Sequence, residues 1–389
     1  MKALVFGLGL QGKAVIHDLE QSDAVSEIVA ADAAAEQARA YVGRKGYRKV
    51  RVVQVNASEA GALEQLVRES QPRVLICMLP PDFQPRLARA AVDAGIPYVS
   101  SSYTGDLVGL DRQAREKGVP LLPEMGMDPG IDLILGRLAV DELDVVQGVR
   151  SYGAGLPEAA CAADNPIHYK ITWTFEGVLK AYMRPARFLR DGREATIRGG
   201  HIFRPENGHT LEVAGVGAMD AYYNGDAIRY IDLFGLGPEL KEMGRYAMRW
   251  PGHNQFWNVM AELGFLDEAP TRVEGALISP RRFVGAHLTP RLQFRDSERD
   301  MVVIRVEAWG VKDQKPRRVV CELIDYRDLA TGLFAMNRTV GFTASIAAQL
   351  ILAGRIRKTG LLTPVRDVPA LEVLRELEKR GMKVQQRVE

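Results

Sequence analysis

Gly7-Leu8-Gly9-Leu10-Gln11-Gly12 follows the apolar run Ala3–Phe6 and precedes a helix-like stretch, Lys13–Leu19. Glycines at that spacing between strand and helix suit the diphosphate of a dinucleotide. Gly7 permits the tight turn, Gly9 lets the backbone approach the phosphates, and Gly12 lets helix and strand pack closely. Leu10 and Gln11 open the helix, whose N–H groups and dipole favour an anion. A second apolar run, Glu27–Ala31, ends at Asp32, 20 residues past Gly12. A carboxylate there can hold a ribose 2′-hydroxyl and repels a 2′-phosphate, so NAD is expected ahead of NADP. Arg39 and the pairs Arg44-Lys45 and Arg48-Lys49 follow closely and keep NADP open. Further along, His168 titrates in a range suited to acid/base work. Lys170 offers a cation to a substrate carboxylate. Arg338 stands at a helix start, where a cation is unfavourable unless it answers to an anion.

The elements that must position these groups alternate in residues 1–126. Strands are expected at Ala3–Phe6, Glu27–Ala31, Val50–Val55, Val74–Met78, Tyr98–Ser100 and Pro120–Pro123. Helical periodicity falls at Ala60–Ser70, Pro85–Ala94 and Leu110–Lys117. This predicts an α/β Rossmann domain with a doubly wound parallel sheet, whose ligands lie at the strand C-termini. Those termini carry Ala57, Leu79-Pro80, Ser101 and Gly126, all candidate cofactor contacts. Asp128 then reads as an N-cap and Pro129 as the first residue of a new helix, close enough to join the cofactor set. Beyond Leu143 longer strands and hairpin signals replace the alternation: Val145–Tyr152, Glu194–Ile202, Gly208–Val213, Arg272–Gly275, Val302–Trp309 and Arg317–Ile324. Helices are expected at Phe175–Tyr182, Pro238–Arg245, Asn254–Leu263, Ala335–Gly354 and Pro369–Lys379. The expected division is a discontinuous dinucleotide-binding domain, 1–127 with 335–389, around an α+β domain, 128–334, with a mostly antiparallel sheet.

The totals exclude several classes. A net charge of +2 over 389 residues provides no basic field for nucleic acid or a membrane surface. No run of 18 apolar residues occurs, and the chain enters a strand at once, so neither a span nor a signal peptide is expected. Three dispersed cysteines and six scattered histidines show no metal-ligand spacing, so no metal is expected. Unpaired thiols fit a cytoplasmic protein. A small molecule is the expected partner.

Several segments together resemble the saccharopine dehydrogenase-like oxidoreductases, a family that includes saccharopine reductases, lysine 6-dehydrogenases and carboxynorspermidine dehydrogenases. They are Tyr98–Tyr103, Glu124–Asp132, Gly155-Leu-Pro157, Asn165-Pro166, Tyr169–Trp173, Gly177–Leu179, Arg249–His253 and Asn337–Gly341. The resemblance spans nearly the whole chain. It implies hydride transfer between a nicotinamide and a carbon bonded to nitrogen, through an imine, with an amino acid or amine as substrate and a homodimer as assembly. Such a protein must align the substrate C–H, exclude water and tune one nitrogen's protonation. Deprotonating an amine near pKa 10.4 otherwise costs roughly 4 kcal/mol at neutral pH. By motif, Tyr103 and Asp128 fall at the junction of cofactor and substrate, and with His168 they are the candidate catalytic groups. Gly155, Tyr169, Lys170, Trp173 and Arg338 are the further candidates for holding substrate.

Two departures from the family pattern bear on the substrate. Saccharopine reductases carry Asn-Arg-Asp where this chain has Asn224-Gly225-Asp226, so a carboxylate-gripping guanidinium is missing. Glu176 resembles lysine 6-dehydrogenases and would favour a cationic amine, whereas Asp128-Pro129-Gly130 is reductase-like. A lysine 6-dehydrogenase-type reaction is expected slightly ahead of a saccharopine- or carboxynorspermidine-type reduction. A non-catalytic dinucleotide sensor is the alternative of another class.

Overall fold

The computed structural model describes residues 1–389 as two compact units, Met1–Ile134 with Asn337–Lys383, and Leu135–Met336 with Val384–Glu389. In the first unit, strands β1 (Lys2–Phe6), β2 (Glu27–Asp32), β3 (Val50–Gln54), β4 (Val74–Cys77), β5 (Tyr98–Ser100) and β6 (Pro120–Leu122) form a parallel sheet in the order β6-β5-β4-β1-β2-β3. A short strand, Gly360–Leu361, extends it beside β6. β1 and β4 are buried along nearly their whole length, which explains their continuous apolar runs. Leu4, Phe6, Leu75 and Tyr98 pack with Leu63, Leu87 and Ala91 from the covering helices. All six expected strands form within a residue or two of their expected bounds.

The second unit is built on a nine-stranded mixed sheet. Its strands are β7 (Val145–Pro157), β8 (Ala186–Arg190), β9 (Arg193–Ile197), β10 (Gly208–Val213), β11 (Gly217–Tyr223) and β12 (Glu242–Arg249), then β15 (Asp300–Lys312), β16 (Lys315–Tyr326) and the C-terminal strand Val384–Val388. β13 (Thr271–Val273) and β14 (Ala276–Ile278) form a separate hairpin. Every pairing in the large sheet is antiparallel except that of β7 with β12.

Three sequence expectations are corrected here. The helix expected at Pro238–Arg245 is replaced by β12, which is buried along both faces and contains Arg245 and Arg249, so no alternation of apolar and polar residues marks it. The strand expected at Glu194–Ile202 is half of the β8–β9 hairpin, turning at Asp191-Gly192, both at positive φ. The last strand, Val384–Val388, joins β16 in the second sheet rather than staying with the first domain.

The long helix Ala335–Leu352 is capped from a distance. Asp300, fully buried at the start of β15, accepts from the N–H groups of Ala335 (2.7 Å) and Met336 (3.0 Å). Burial pushes its carboxyl up to about 6 against the pull of those N–H groups. The folded-state value therefore exceeds the unfolded one, and this group's contribution to stability is present below about pH 4 and lost as pH rises through 6. The lift amounts to roughly 3 kcal/mol. In Asp300→Asn, urea unfolding should show the variant gaining on the parent by up to that amount between about pH 4 and pH 7. A pH-independent difference would refute the assignment.

Candidate functional site

At the C-terminal edge of the first sheet, Gly7 leaves β1 at φ +88° and donates its N–H to the carbonyl of Ala31 at 2.8 Å. A Cβ on Gly12 would overlap the Gly7 carbonyl oxygen, so helix Leu10–Gln21 lies directly on the turn. Gly9 is exposed, with nothing within 4 Å of the place its Cβ would occupy. It is also the helix N-cap, with no side-chain cap and no acid in the first turn. Donors at Leu10, Gln11 and Gly12 are thus left to an external acceptor, and the arrangement fits a diphosphate.

Asp32 does more than its position implied. Its Oδ2 accepts from Leu8 N–H at 2.6 Å and its Oδ1 from Ala34 N–H at 2.8 Å. The carboxylate therefore ties the glycine turn to the end of β2. Each oxygen retains a lone pair for a ribose hydroxyl.

The next loops are joined by residues that the sequence reading passed over. Buried Gln84 donates to the Leu79 carbonyl (3.4 Å) and Ser102 Oγ (2.9 Å), and accepts from Tyr98 Oη. It links the loops that carry Leu79-Pro80 and Ser101. Ala57 is half-buried, and its carbonyl accepts from Arg86 at 3.1 Å. Glu124, buried at φ +62°, accepts from the backbone N–H (3.0 Å) and hydroxyl (2.9 Å) of Thr104. Tyr103, half-buried, thus sits in a loop fixed on both sides. Glu124 opens a segment that carries the family resemblance, Glu124–Asp132, but its spacing gave no sign of this bracing contact.

Asp128 and Pro129 require a correction. The helix begins at Ile131, not at Pro129, and Asp128 is not its N-cap. Gly126 N–H donates to the Pro129 carbonyl at 2.9 Å, and Ile131 N–H donates back to the Gly126 carbonyl at 3.0 Å. This closes a turn in which the Asp128-Pro129 peptide is cis and Gly130 takes φ +147°. Asp132 does the local capping, accepting from Gly130 N–H at 2.8 Å. Asp128 is thereby set on a turn at the same sheet edge as Tyr103, rather than on a helix.

Arg338 donates to the Arg380 carbonyl at 2.9 Å, at the C-terminal end of helix Ala370–Lys379, and lies over the Phe342 ring. The negative partner expected for it is therefore a helix C-terminus.

The second unit places its candidates differently from one another. Gly155 lies in β7, and its Cβ position is occupied by Met336 Cε and, at 3.0 Å, Thr172 Oγ1. Tyr169 is fully buried among Phe175, Tyr182 and His253, and burial pushes its hydroxyl up to about 12. Lys170 is only 4% exposed, with Nζ 2.6 Å from Glu298 Oε1 and 3.3 Å from Asp164 Oδ2. Two carboxylates already answer its charge, which removes it as a ready partner for substrate. His168 is exposed at φ +49°, its Nδ1 3.1 Å from the Ala162 carbonyl. Trp173 is about one-third exposed. Cys161 lies against two backbone carbonyls, and burial raises its thiol, so it is no thiolate nucleophile.

A dinucleotide-binding protein is the class that this sheet edge and glycine turn define. Residues 3–122 match the saccharopine dehydrogenase NADP binding domain, and residues 126–382 match the saccharopine dehydrogenase C-terminal domain. The chain belongs to the saccharopine dehydrogenase family, and its first unit binds a nicotinamide dinucleotide. It is 25% identical to saccharopine dehydrogenase (NADP(+), L-glutamate-forming) of Saccharomyces cerevisiae, over 97% of this chain and 96% of that one. It is 24% identical to the alpha-aminoadipic semialdehyde synthases of Arabidopsis thaliana and Mus musculus, of which it spans only 39% and 47%. The apo histidine-tagged saccharopine dehydrogenase (L-Glu forming) from S. cerevisiae matches its fold with a TM-score of 0.86 at 24% identity, covering 100% and 99% of the two chains. No helix is long and apolar enough to cross a membrane.

Proposed function

We propose that this protein oxidises or reduces the C–N bond of a lysine-derived amino acid through an imine, with a saccharopine-type secondary amine as its substrate. The family match carries the reading. The full-length likeness to a glutamate-forming saccharopine dehydrogenase turns it toward a secondary amine. Glu176, which had pointed to lysine 6-dehydrogenases, is exposed and paired with Lys180 at 2.6 Å, so it no longer argues for a cationic substrate.

When bound, the dinucleotide supplies the hydride acceptor. The first-turn N–H groups hold its diphosphate, and Asp32 holds the adenosine ribose. Tyr103 and Asp128, each on a braced turn at the sheet edge, are the groups to take and return the proton on the substrate nitrogen. A primary amine is the second reading, favoured by one observation. Gly225 takes φ +73°, where a side chain would be strained, and Asp226 is held by Arg187 at 2.9 Å. The reductase guanidinium therefore has no equivalent there.

The test is a nicotinamide absorbance assay with saccharopine and L-lysine, each with NAD and NADP. Turnover of saccharopine supports the first reading, and turnover of L-lysine alone moves the assignment to the second. Tight cofactor binding with no turnover of any amine would leave a sensor. NAD should be the better coenzyme despite the NADP named for the matching domain. Asp32→Asn keeps an acceptor for Leu8 N–H and removes the charge. It should improve kcat/KM for NADP about 10- to 100-fold relative to NAD. An unchanged ratio would remove Asp32 from coenzyme choice.

A further inference from the structure

Gln84 is a polar residue on an apolar helix face. Residues 84, 87, 88 and 91 share one side of helix Gln84–Ala94, and Leu87, Ala88 and Ala91 are fully buried there in the core of the first unit. Gln84 is 3% exposed. An apolar side chain would fill that place with no polar group to desolvate, so the amide needs partners to offset its burial. Its Nε2 donates to Ser102 Oγ at 2.9 Å and to the Leu79 carbonyl at 3.4 Å, and its Oε1 accepts from buried Tyr98 Oη. Both faces of the amide are engaged, which fixes its orientation.

Those partners surround Tyr103. Tyr98 opens β5, and Ser102 lies just past its end, on the loop that carries Tyr103. The far side of that loop is tied down separately. Thr104 gives its N–H and hydroxyl to Glu124 at 3.0 and 2.9 Å, and Glu124 N–H donates to the Ser102 carbonyl at 3.0 Å. Tyr103 therefore stands between two anchored residues, and Gln84 holds the Ser102 side chain. Its bond to Ser102 is the shorter one, whereas 3.4 Å to Leu79 is at the weak end for N–H···O. Gln84 thus grips the Tyr103 loop more firmly than the coenzyme loop.

We propose that Gln84 is a positioning residue, which keeps Tyr103 in register with the coenzyme loop Leu79-Pro80 while touching neither coenzyme nor substrate. Its effect on rate rests on the role of Tyr103 in the proposed reaction, but its hold on the loop does not. A catalytic group displaced by about 1 Å loses on the order of 100-fold in rate.

The test uses two variants of the full chain. Gln84→Met keeps the length of the side chain and removes all three bonds, and Ser102→Ala removes only the acceptor on the Tyr103 loop. With whichever amine the parent turns over, both should lower kcat about 10- to 100-fold and leave KM for the amine unchanged. Dinucleotide affinity, read by calorimetry, should also stay unchanged. In Tyr103→Phe, which has no hydroxyl to misplace, adding Gln84→Met should cost less than about threefold more. Additive losses, or a parent-like kcat in both variants, overturn the proposal. Hydrogen exchange of the NADH-bound chain needs no turnover. Amides of residues 101–104 should exchange about 10-fold faster in Gln84→Met than in the parent, and equal exchange overturns the proposal. If Gln84→Met fails to fold, Ser102→Ala carries both measurements. A parent that turns over no amine refutes the reaction, and faster exchange then leaves the hold of Gln84 on the Tyr103 loop standing.

Discussion

Gly12→Ala is expected to weaken binding of either nicotinamide dinucleotide by roughly 100-fold, as read by quenching of intrinsic fluorescence or by calorimetry. The added methyl would overlap the carbonyl oxygen of Gly7, a backbone atom that cannot rotate aside, with Met78 Cβ 3.7 Å away just past the end of β4. Helix Leu10–Gln21 must therefore lift from β1, carrying its first-turn donors off the diphosphate. Gly9→Ala supplies the contrast. Nothing lies within 4 Å of its Cβ position, so the protein should fold and melt as the parent does, while the methyl enters the space where the phosphates sit. Affinity should fall there too, with the melting temperature unchanged. Parent-like affinity in both variants would show that the diphosphate lies elsewhere.

The second large effect is structural. Lys170→Met leaves Glu298 buried at 8% exposure without its closest cation. Only Arg295, itself exposed, stays near that carboxylate, at 3.7 Å, so most of the buried charge's compensation is gone and the expected loss is about 3 kcal/mol. In a unit of this size that lowers the melting temperature by about 10 °C. Lys170→Met combined with Glu298→Leu removes both charges and should recover most of the loss, since an apolar pair can replace a buried ion pair at little cost. Should the single and double variants melt alike, the pair is not the cause. The same experiment separates structure from chemistry. A lysine that gripped substrate would leave the double variant stable but unable to bind it.

The first unit was legible because its signals are local. A glycine turn, an acid 20 residues on and short apolar runs all lie within one βαβ repeat, where neighbours in sequence are neighbours in space. The second unit was less so. β12 carries Arg245 and Arg249 in a strand buried on both sides, and no pattern of polarity announces that environment. Capping was missed for a related reason. Ala335 and Met336 take their acceptor from Asp300, 35 residues earlier, and Lys170 finds Glu298 across 128 residues. Asp128 was misplaced because Asp-Pro before an apolar run is a sound helix entry, whereas Gly126 and Gly130 close a turn first. Sequence spacing locates groups that a single turn or strand end assembles. Partners brought together by sheet pairing emerge only with the fold.

The polypeptide changes unit three times, after Ile134, Met336 and Lys383. The first two changes fall inside continuous helices, Ile131–Asp141 and Ala335–Leu352. A protease nick between the halves would therefore release neither as an intact body. Cloning residues 135–336 alone would strip β16 of the terminal ribbon Val384–Val388 that covers its outer edge. The open edge of the sheet would then pass from that ribbon of 5 residues to β16, 12 residues long, and a longer unpaired edge invites association with other chains.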